Sequence, residues 1–411
     1  MGVRIINADV LDGLRQLEDE SVHCVVTSPP YWGLRDYDVD GQIGLEESPQ
    51  AFVSRLVEVF REVRRVLRKD GTCWLNLGDS YAGGGRGDGS ITAKQKTNIG
   101  SLGFGPQKAP AGFKPKDLIG IPWRVALALQ DDGWWLRRDI IWHKPNPMPE
   151  SVTDRCTSSH EYVFHLTKSD RYYYDSEAIK EPAIYAGLAN QDDSGFKDPR
   201  SFNGKHKEGY RSADKQRGHS RRHAGFNDRW DAMERAEQCS GMRNKRSVWT
   251  IATAPYSEAH FATFPPDLIE PMILAGTSAI GCCAECGAPW ERSVERIDQG
   301  FNGSQYGERV VAASGGAKTG GTAKSTLGSG NGKLTGKHET LGWNPTCECE
   351  ADVVPCTVLD PFSGAGTTAL VSDRLQRNAI GVELNPEYVA MSQRRIDGDR
   401  GGLLDLMEGA A

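Results

Sequence analysis

The sequence predicts an α/β protein built on a parallel sheet covered on both faces by helices. Three observations lead there. Short apolar runs alternate with amphipathic stretches along most of the chain, the grammar of strand-and-helix units. The run His23 to Val26 suits a buried strand. Near the C-terminus, DPFSGAGTT passes from a strand through a glycine turn directly into a helix.

The elements follow in chain order. Val3 to Ile6 reads as a strand and Val10 to Leu17 as a helical stretch. After His23 to Val26 comes TSPPYW, where Pro29 and Pro30 cannot continue a ladder, so Ser28 marks the strand's carboxyl end. Pro49 to Arg68 places Phe52, Leu56, Val59, Phe60, Val63 and Leu67 on one helical face, with Asp70-Gly71 as its stop. Thr72 to Leu77 is the next strand, and GGGRGDGS after it reads as a mobile loop. A helix is expected over Lys116 to Gln130, then strands over Trp134 to Trp142 and Tyr162 to Leu166. Periodicity fades from Ser176 to Trp249. Phe264 to Leu274 reads as a helix opened by Pro265-Pro266. Gln299 to Trp343 has the Gly, Ser, Thr and Lys composition of a linker. The alternation then resumes with strand Thr357 to Leu359, helix Thr367 to Leu375, strand Ala379 to Leu384 and helix Pro386 to Arg395.

With 411 residues there is chain enough for two or three domains. No run of eighteen apolar residues occurs and the N-terminus lacks a charged-then-apolar leader, so a soluble, cytoplasmic protein with no membrane partner is expected. Six of the ten cysteines lie between Cys282 and Cys356, a clustering that favours metal over disulfides inside a cell. The formal net charge of -6 conceals an asymmetry. Lys197 to Arg246 holds fourteen Lys or Arg against seven Asp or Glu, a local +7 that leaves -13 for the remainder. Two readings fit this zone, a polyanion-binding surface or a solvated loop.

DPFSGAGTTAL (Asp360 to Leu370) lets the backbone approach a ligand, and Glu383 follows 23 residues after Asp360, the spacing at which an acidic side chain reaches ribose hydroxyls. Ala369 stands where a dinucleotide pattern needs its third glycine, and no lysine follows for a phosphate. A nucleoside without pyrophosphate fits better.

DPFSGAGTT resembles the S-adenosylmethionine motif of the amino-methylating DNA methyltransferases, and TSPPYW resembles their catalytic motif. The catalytic motif comes first, the circular order of the β group. The resemblance extends through NADVLDGL, WLNLGD, IIWHKPNPMP, SSHEYVFHLTKS and HFATFPPDLIEPMILAG. It implies a Rossmann-like S-adenosylmethionine-dependent methyltransferase fold in circularly permuted order, with an inserted target-recognition module. By the same resemblance Asp360, Phe362, Gly364, Gly366 and Thr367 belong to the cofactor turn. Glu383 would meet the ribose and Asp9 the adenine amino group, while His260 to Phe264 closes the pocket. For Asp9, a helix N-terminal acidic residue is an equal reading.

An exocyclic amine is a poor nucleophile because its lone pair is delocalised into the ring. Two fixed acceptors would draw it towards tetrahedral geometry, and Ser28 Oγ and the Pro29 carbonyl are the candidates, held stiff by Pro29 and Pro30. Tyr31 would stack on the extruded base, and Trp32 either extends that wall or packs in the core. Serine at position 28 points by family resemblance to cytosine N4, with adenine N6 as the alternative. Pro355-Cys356 looks like the nucleophile of cytosine-C5 enzymes, but its place before the cofactor strand makes Cys356 a buried thiol. Methylation of RNA or of a protein amide, and a non-catalytic DNA-binding protein, are rival readings.

Cys283-x-x-Cys286-Gly287 has the spacing of a zinc knuckle, and Cys347-x-Cys349 would complete a structural site, with Cys282 as a substitute for Cys283 and free thiols as the alternative. This is the zinc-ribbon-like insertion. The basic segment, with Lys205, Lys207, Arg211, Arg217, Arg221 and Arg222, falls where the family keeps its target-recognition region and would contact phosphates of double-stranded DNA. The expected division is 1-175 and 353-411 for the two methyltransferase halves, 176-255 for the recognition insert, 256-280 for the pocket helix and 281-352 for the zinc insertion. A cognate restriction enzyme is a possible partner by the same resemblance.

Overall fold

The computed structural model describes residues 2–33, 39, 41–83, 109–182, 242–254, 263–297 and 337–408. The elements run β1 (Val3–Asn7), α1 (Val10–Arg15), β2 (Val22–Thr27), α2 (Pro49–Val66), β3 (Leu67–Leu77), α3 (Ile121–Asp131), β4 (Trp135–His143) and β5 (His160–Thr167). There follow β6 (Glu181–Pro182), β7 (Met242–Arg243), β8 (Val248–Thr250), α4 (Pro266–Gly276), β9 (Cys282–Cys283), β10 (Glu291–Ile297) and β11 (Lys337–Asn344). The last are β12 (Val353–Val354), β13 (Thr357–Asp360), α5 (Thr367–Arg374), β14 (Asn378–Glu383) and α6 (Pro386–Glu408).

Eight strands form one sheet in the order β1-β14-β13-β2-β3-β5-β4-β8. Pairing is parallel except where β5 meets β3 and β4. The two strands nearest the C-terminus thus insert between β1 and β2. From β13 the chain winds outward to β14, while from β2 it winds the other way to β3, so the winding reverses between β13 and β2. Ligands of open α/β sheets bind at such a reversal, outside the carboxyl ends of the strands.

Strand alternation sends side chains to two cores. Val25, Cys73, Leu75 and Leu77 face α1, α2 and α3, whereas Cys24, Val26 and Trp74 face Leu268, Ile269, Met272 and Ile273 of α4. Ser48 caps α2 by accepting from Ala51 N at 3.1 Å, and Pro49 starts it without wasting a donor. Arg65 of α2 reaches back to the Leu14 and Leu17 carbonyls at 2.9 and 3.0 Å, which satisfies acceptors left open at the end of α1.

Three expectations are corrected. Helix α2 ends at Val66, and Leu67, fully buried, already opens β3. Asp70-Gly71 is therefore no helix stop: it lies in β3, where the register against β2 jumps between Leu67 and Thr72. Helix α3 begins at Ile121, after Lys116 and Gly120 have both taken positive φ. The expected insert 176-255 is not wholly an insert, since β8 completes the sheet beside β4.

The chain divides into two compact units, one of Met1–Ile179, Lys245–Arg292 and Trp343–Ala411, the other of Lys180–Asn244 and Ser293–Gly342. The first holds the whole eight-stranded sheet. Among the described residues of the second, β6 pairs with β7 and Arg243 Nε donates to Glu181 at 2.9 Å. GGGRGDGS beyond its first glycine, the basic positions Lys205 to Arg222 and His260 lie outside the described residues. Among those described, no helix is long and apolar enough to cross a membrane.

Candidate active site

A cavity of about 760 Å³ follows the sheet edge. Its lining takes residues from the end of each strand in sheet order: Asp9 after β1, Glu383 and Asn385 at β14, Phe362 and Gly364 after β13, Ser28 to Tyr31 after β2, and Asn76 in β3. Glu161 in β5, Lys144 after β4 and Thr253 beyond β8 finish the row. Phe264, just ahead of α4, and Thr367 line it as well. The proline loop and the glycine turn therefore share one chamber, although they stand more than 330 residues apart in sequence, as the Thr27 to Asp360 contact shows.

The strand-end position of TSPPYW fixes its side chains. Tyr31 donates its hydroxyl proton to Glu161 Oε2 at 2.8 Å and sits 3.3 Å from Asn76 Oδ1, while Ser28 Oγ donates to the Tyr31 oxygen at 3.4 Å. Glu161 is held in turn by Lys144 Nζ and by Asn76 Nδ2, the latter at 3.2 Å. Lys144 also lies 4.3 Å from the centre of the Trp142 ring. The Tyr31 ring rests on Gly78, where a Cβ would meet it at 2.6 Å. Trp32 does not extend this wall: it packs on the core and donates Nε1 to the Glu46 carbonyl at 3.0 Å.

On the other side of Ser28 lies the glycine turn. Glu383 accepts from Gly364 N at 2.7 Å and from Asn385 N at 2.9 Å. Burial pushes its carboxyl above the ordinary range against those backbone donors, and the Asp360 charge adds to the rise. Asp9 caps α1, accepting from Leu11 N at 2.9 Å, as the helix N-terminal reading of it expects, and it also lines the cavity.

Two predicted site residues, Asp360 and Gly366, do not line the chamber and make framework contacts. Asp360 is buried and its oxygens accept from Thr27 Oγ1 at 2.7 Å, Thr368 Oγ1 at 2.9 Å and Phe362 N at 3.1 Å. It ties β2, β13 and α5 together beneath the chamber, and burial lifts its pKa to about 6 despite those donors. Gly366, with φ of 71°, takes a left-handed turn into α5, and a Cβ there would strike Ser392 of α6 at 2.5 Å. Its missing side chain admits a helix, whereas Phe362, Gly364 and Thr367 line the chamber.

The family model described as DNA methylase matches residues 22–281 and 356–394. The type II methyltransferase M.Cfr9I of Citrobacter freundii is 37% identical over 398 residues, 97% of this chain and 89% of that one. M.XycI of Xanthomonas campestris pv. cyanopsidis is 36% identical, covering 98% of this chain and 90% of its own. The chain belongs to the DNA methylase family. Among solved structures, PvuII DNA methyltransferase (cytosine-N4-specific) is similar at a TM-score of 0.48 and 15% identity, over 98% of this chain and 93% of the other. The methylase is thus an S-adenosylmethionine-dependent enzyme acting on DNA, with a Rossmann-like fold.

Sequence reasoning missed Asn76, Lys144 and Glu161 as residues of the methylase site. Lys144 was within reach, because IIWHKPNPMP repeats the pattern of TSPPYW: a strand, then prolines at the same sheet edge.

Away from this chamber, Cys283, Cys286, Cys347 and Cys349 bring their sulfurs within 4.8 Å of one another. The Cys286 and Glu285 backbone amides pull the Cys283 thiol down to about 7, and Gly287 at φ 70° closes the turn with its amide on the Cys283 carbonyl at 2.9 Å. Cys282 is no substitute for Cys283. It belongs with His23 and Cys356, and His23 has both ring nitrogens engaged, one by Thr357 N at 3.1 Å and one by the Gly287 carbonyl at 2.9 Å. Cys356 is buried, as expected of a spare thiol. His23 and Arg68, which donates to the Cys286 carbonyl at 2.7 Å, fasten the knuckle near the amino end of β2. Ser28 lies five residue steps along the chain from His23, roughly 16 Å.

Proposed function

We propose that the chain methylates the exocyclic N4 amine of cytosine in DNA. The observation that carries this is the Ser28 hydroxyl: its proton is directed at Tyr31, so its lone pairs remain as neutral acceptors beside the Pro29 carbonyl. Ser28 and Pro29 together accept the two hydrogens of the amine and hold its nitrogen pyramidal, with the lone pair aimed across the chamber. Tyr31 stacks on the extruded ring, its angle set by Gly78 beneath and Glu161 at its hydroxyl. Pro30 stiffens the turn and so limits the reorganisation needed.

When bound, S-adenosylmethionine supplies an electrophilic methyl on a cationic sulfur. Glu383 retains acceptor capacity beyond its two amide partners, which suits the donor hydroxyls of a ribose, and the turn at Phe362 to Gly364 leaves backbone close to the chamber. Asp9 supplies an acceptor for an adenine amine, and Phe264 and Thr367 complete that side. Cys283, Cys286, Cys347 and Cys349 would hold a Zn²⁺ whose role is structural, since four protein ligands leave no open position for chemistry. A cognate restriction enzyme, in keeping with the type II relatives, is the partner this role implies.

Ser28→Ala and Tyr31→Ala test the assignment. Each is expected to reduce turnover on DNA by at least about 100-fold while leaving binding of the methyl donor, measured by calorimetry, within about twofold. Full turnover in both variants would remove the catalytic assignment.

A further inference from the structure

Past β4 the chain reads Lys-Pro-Asn-Pro-Met-Pro, and Met148 is 80% exposed, the most exposed of the large apolar side chains described. Three features set it apart from the scattered surface apolar residues every protein carries. First, it stands on the lip of the chamber, with Pro147 and Pro149 on either side also lining it. Second, it is braced. Pro145, Pro147 and Pro149 fix φ at every second residue. Asn146 exchanges two hydrogen bonds with Thr253, Nδ2 to Oγ1 at 3.1 Å and Oδ1 from N at 3.0 Å, and the Lys144 amide donates to the Ser159 carbonyl at 2.8 Å. Arg155 closes the loop on Glu150 at 2.7 Å. Third, Met148 lies on the base side of the chamber, beyond Tyr31, Glu161 and Lys144 in sheet order, and away from the glycine turn.

A stiff arm that holds an apolar side chain in water beside a base-sized chamber has a physical use. A base cannot reach the chamber while stacked in a duplex, and its departure leaves a gap between neighbouring base pairs. Apolar wedges, methionine among them, fill such gaps in other protein–DNA complexes. An unbranched thioether is thin and polarizable enough to slide between ring faces. We propose that Met148 enters the duplex as the target base leaves, occupying the vacated space so that the base does not restack. This rests on the reading of the chamber as the receiver of the base. Pro147 and Pro149 keep the arm from folding back, and the Asn146–Thr253 pair sets its height.

The test compares the full chain, Met148→Ala, Met148→Leu and Tyr31→Ala on a duplex carrying a site the enzyme methylates, and on the same duplex with the target base mismatched. On the matched duplex Met148→Ala should lose about 10- to 100-fold in kcat/KM, with Met148→Leu restoring it to within about threefold. On the mismatched duplex, where the base is already unpaired, the alanine penalty should shrink below about threefold. An equal penalty on both duplexes, or none on the matched one, overturns the wedge. Tyr31→Ala separates the two layers: it should be impaired on both substrates, and if it is impaired while Met148→Ala behaves like the parent, the wedge alone fails. If Tyr31→Ala is fully active, the chamber does not receive the base and the wedge falls with it.

Discussion

Gly78 is the most exacting position in the site. A methyl group there would sit 2.6 Å from Tyr31 Cε2, 3.1 Å from Cδ2 and 3.3 Å from Cζ, against roughly 3.5–4.0 Å for relaxed carbon contacts. The ring must retreat by about 1 Å. Gly78 is not among the glycines with positive φ, so the backbone itself accepts alanine. What yields is the tyrosine, whose hydroxyl is drawn off Glu161, now 2.8 Å away. Hydrogen bonds to charged groups contribute about 1.5–3 kcal/mol, and a misplacement of about 1 Å can cost about 100-fold in rate. We expect Gly78→Ala to lower kcat by about 10- to 100-fold, with methyl-donor binding unchanged by calorimetry. Gly398→Ala, in α6 with nothing within 4 Å of the added carbon, serves as the control. It should keep full activity and gain up to about 1 kcal/mol of stability. A Gly78→Ala enzyme with parental kcat would show that the ring's placement does not matter.

Asp360 should leave a signature in stability against pH. Its folded pKa, raised to about 6 from 3.8, means the protonated form favours the fold. That contribution is present in full below about pH 3.8 and lost as pH rises through about 6. Asp360→Asn mimics the protonated form: its Oδ1 still accepts from Thr27 and Phe362 N, and Thr368 can turn its proton to the Val26 carbonyl, now 3.2 Å away. Denaturant titrations should show Asn gaining on Asp between pH 4 and 7 by on the order of 3 kcal/mol, and a gap that stays flat over that range would contradict the buried-carboxylate argument. For the thiolate cluster, metal analysis should find close to one zinc per chain in the parent and little in Cys283→Ser. Stripping it with a chelator should lower the thermal midpoint while the residual folded enzyme keeps its KM for the methyl donor; a metal-free parent of equal stability would refute the site.

The parts of the site that the sequence disclosed are those governed by strand ends. Val22–Thr27 is buried throughout and Pro29-Pro30 ends it, so Ser28 to Tyr31 could be placed at the sheet edge without coordinates. Glu383 emerged from spacing alone. Glu161 could not, because β5 runs antiparallel and offers its amino end to the chamber, and nothing in HEYVFHLT declares the direction of the strand. Asn76 was hidden for a related reason: a polar residue within TCWLNL reads as one face of a strand until its partner across the ladder is known. Asp360 and Gly366 stand off the chamber lining because the DPFSGAG pattern encodes both a turn at the sheet edge and the framework that supports it. Only tertiary contacts, Thr27 on one and Ser392 on the other, separate the two duties. The boundary at Leu67 slipped because helix and strand both bury that side chain.

The sharpest trial is of the product. Duplex DNA incubated with the full chain and S-adenosylmethionine carrying an isotopically labelled methyl group, digested to nucleosides and resolved by mass spectrometry, should yield labelled N4-methylcytosine, and at least about 100-fold less from a Ser28→Ala reaction run in parallel. Label in N6-methyladenine or 5-methylcytosine instead would mean that the neutral acceptor pair at Ser28 and Pro29 does not select the amine assigned to it.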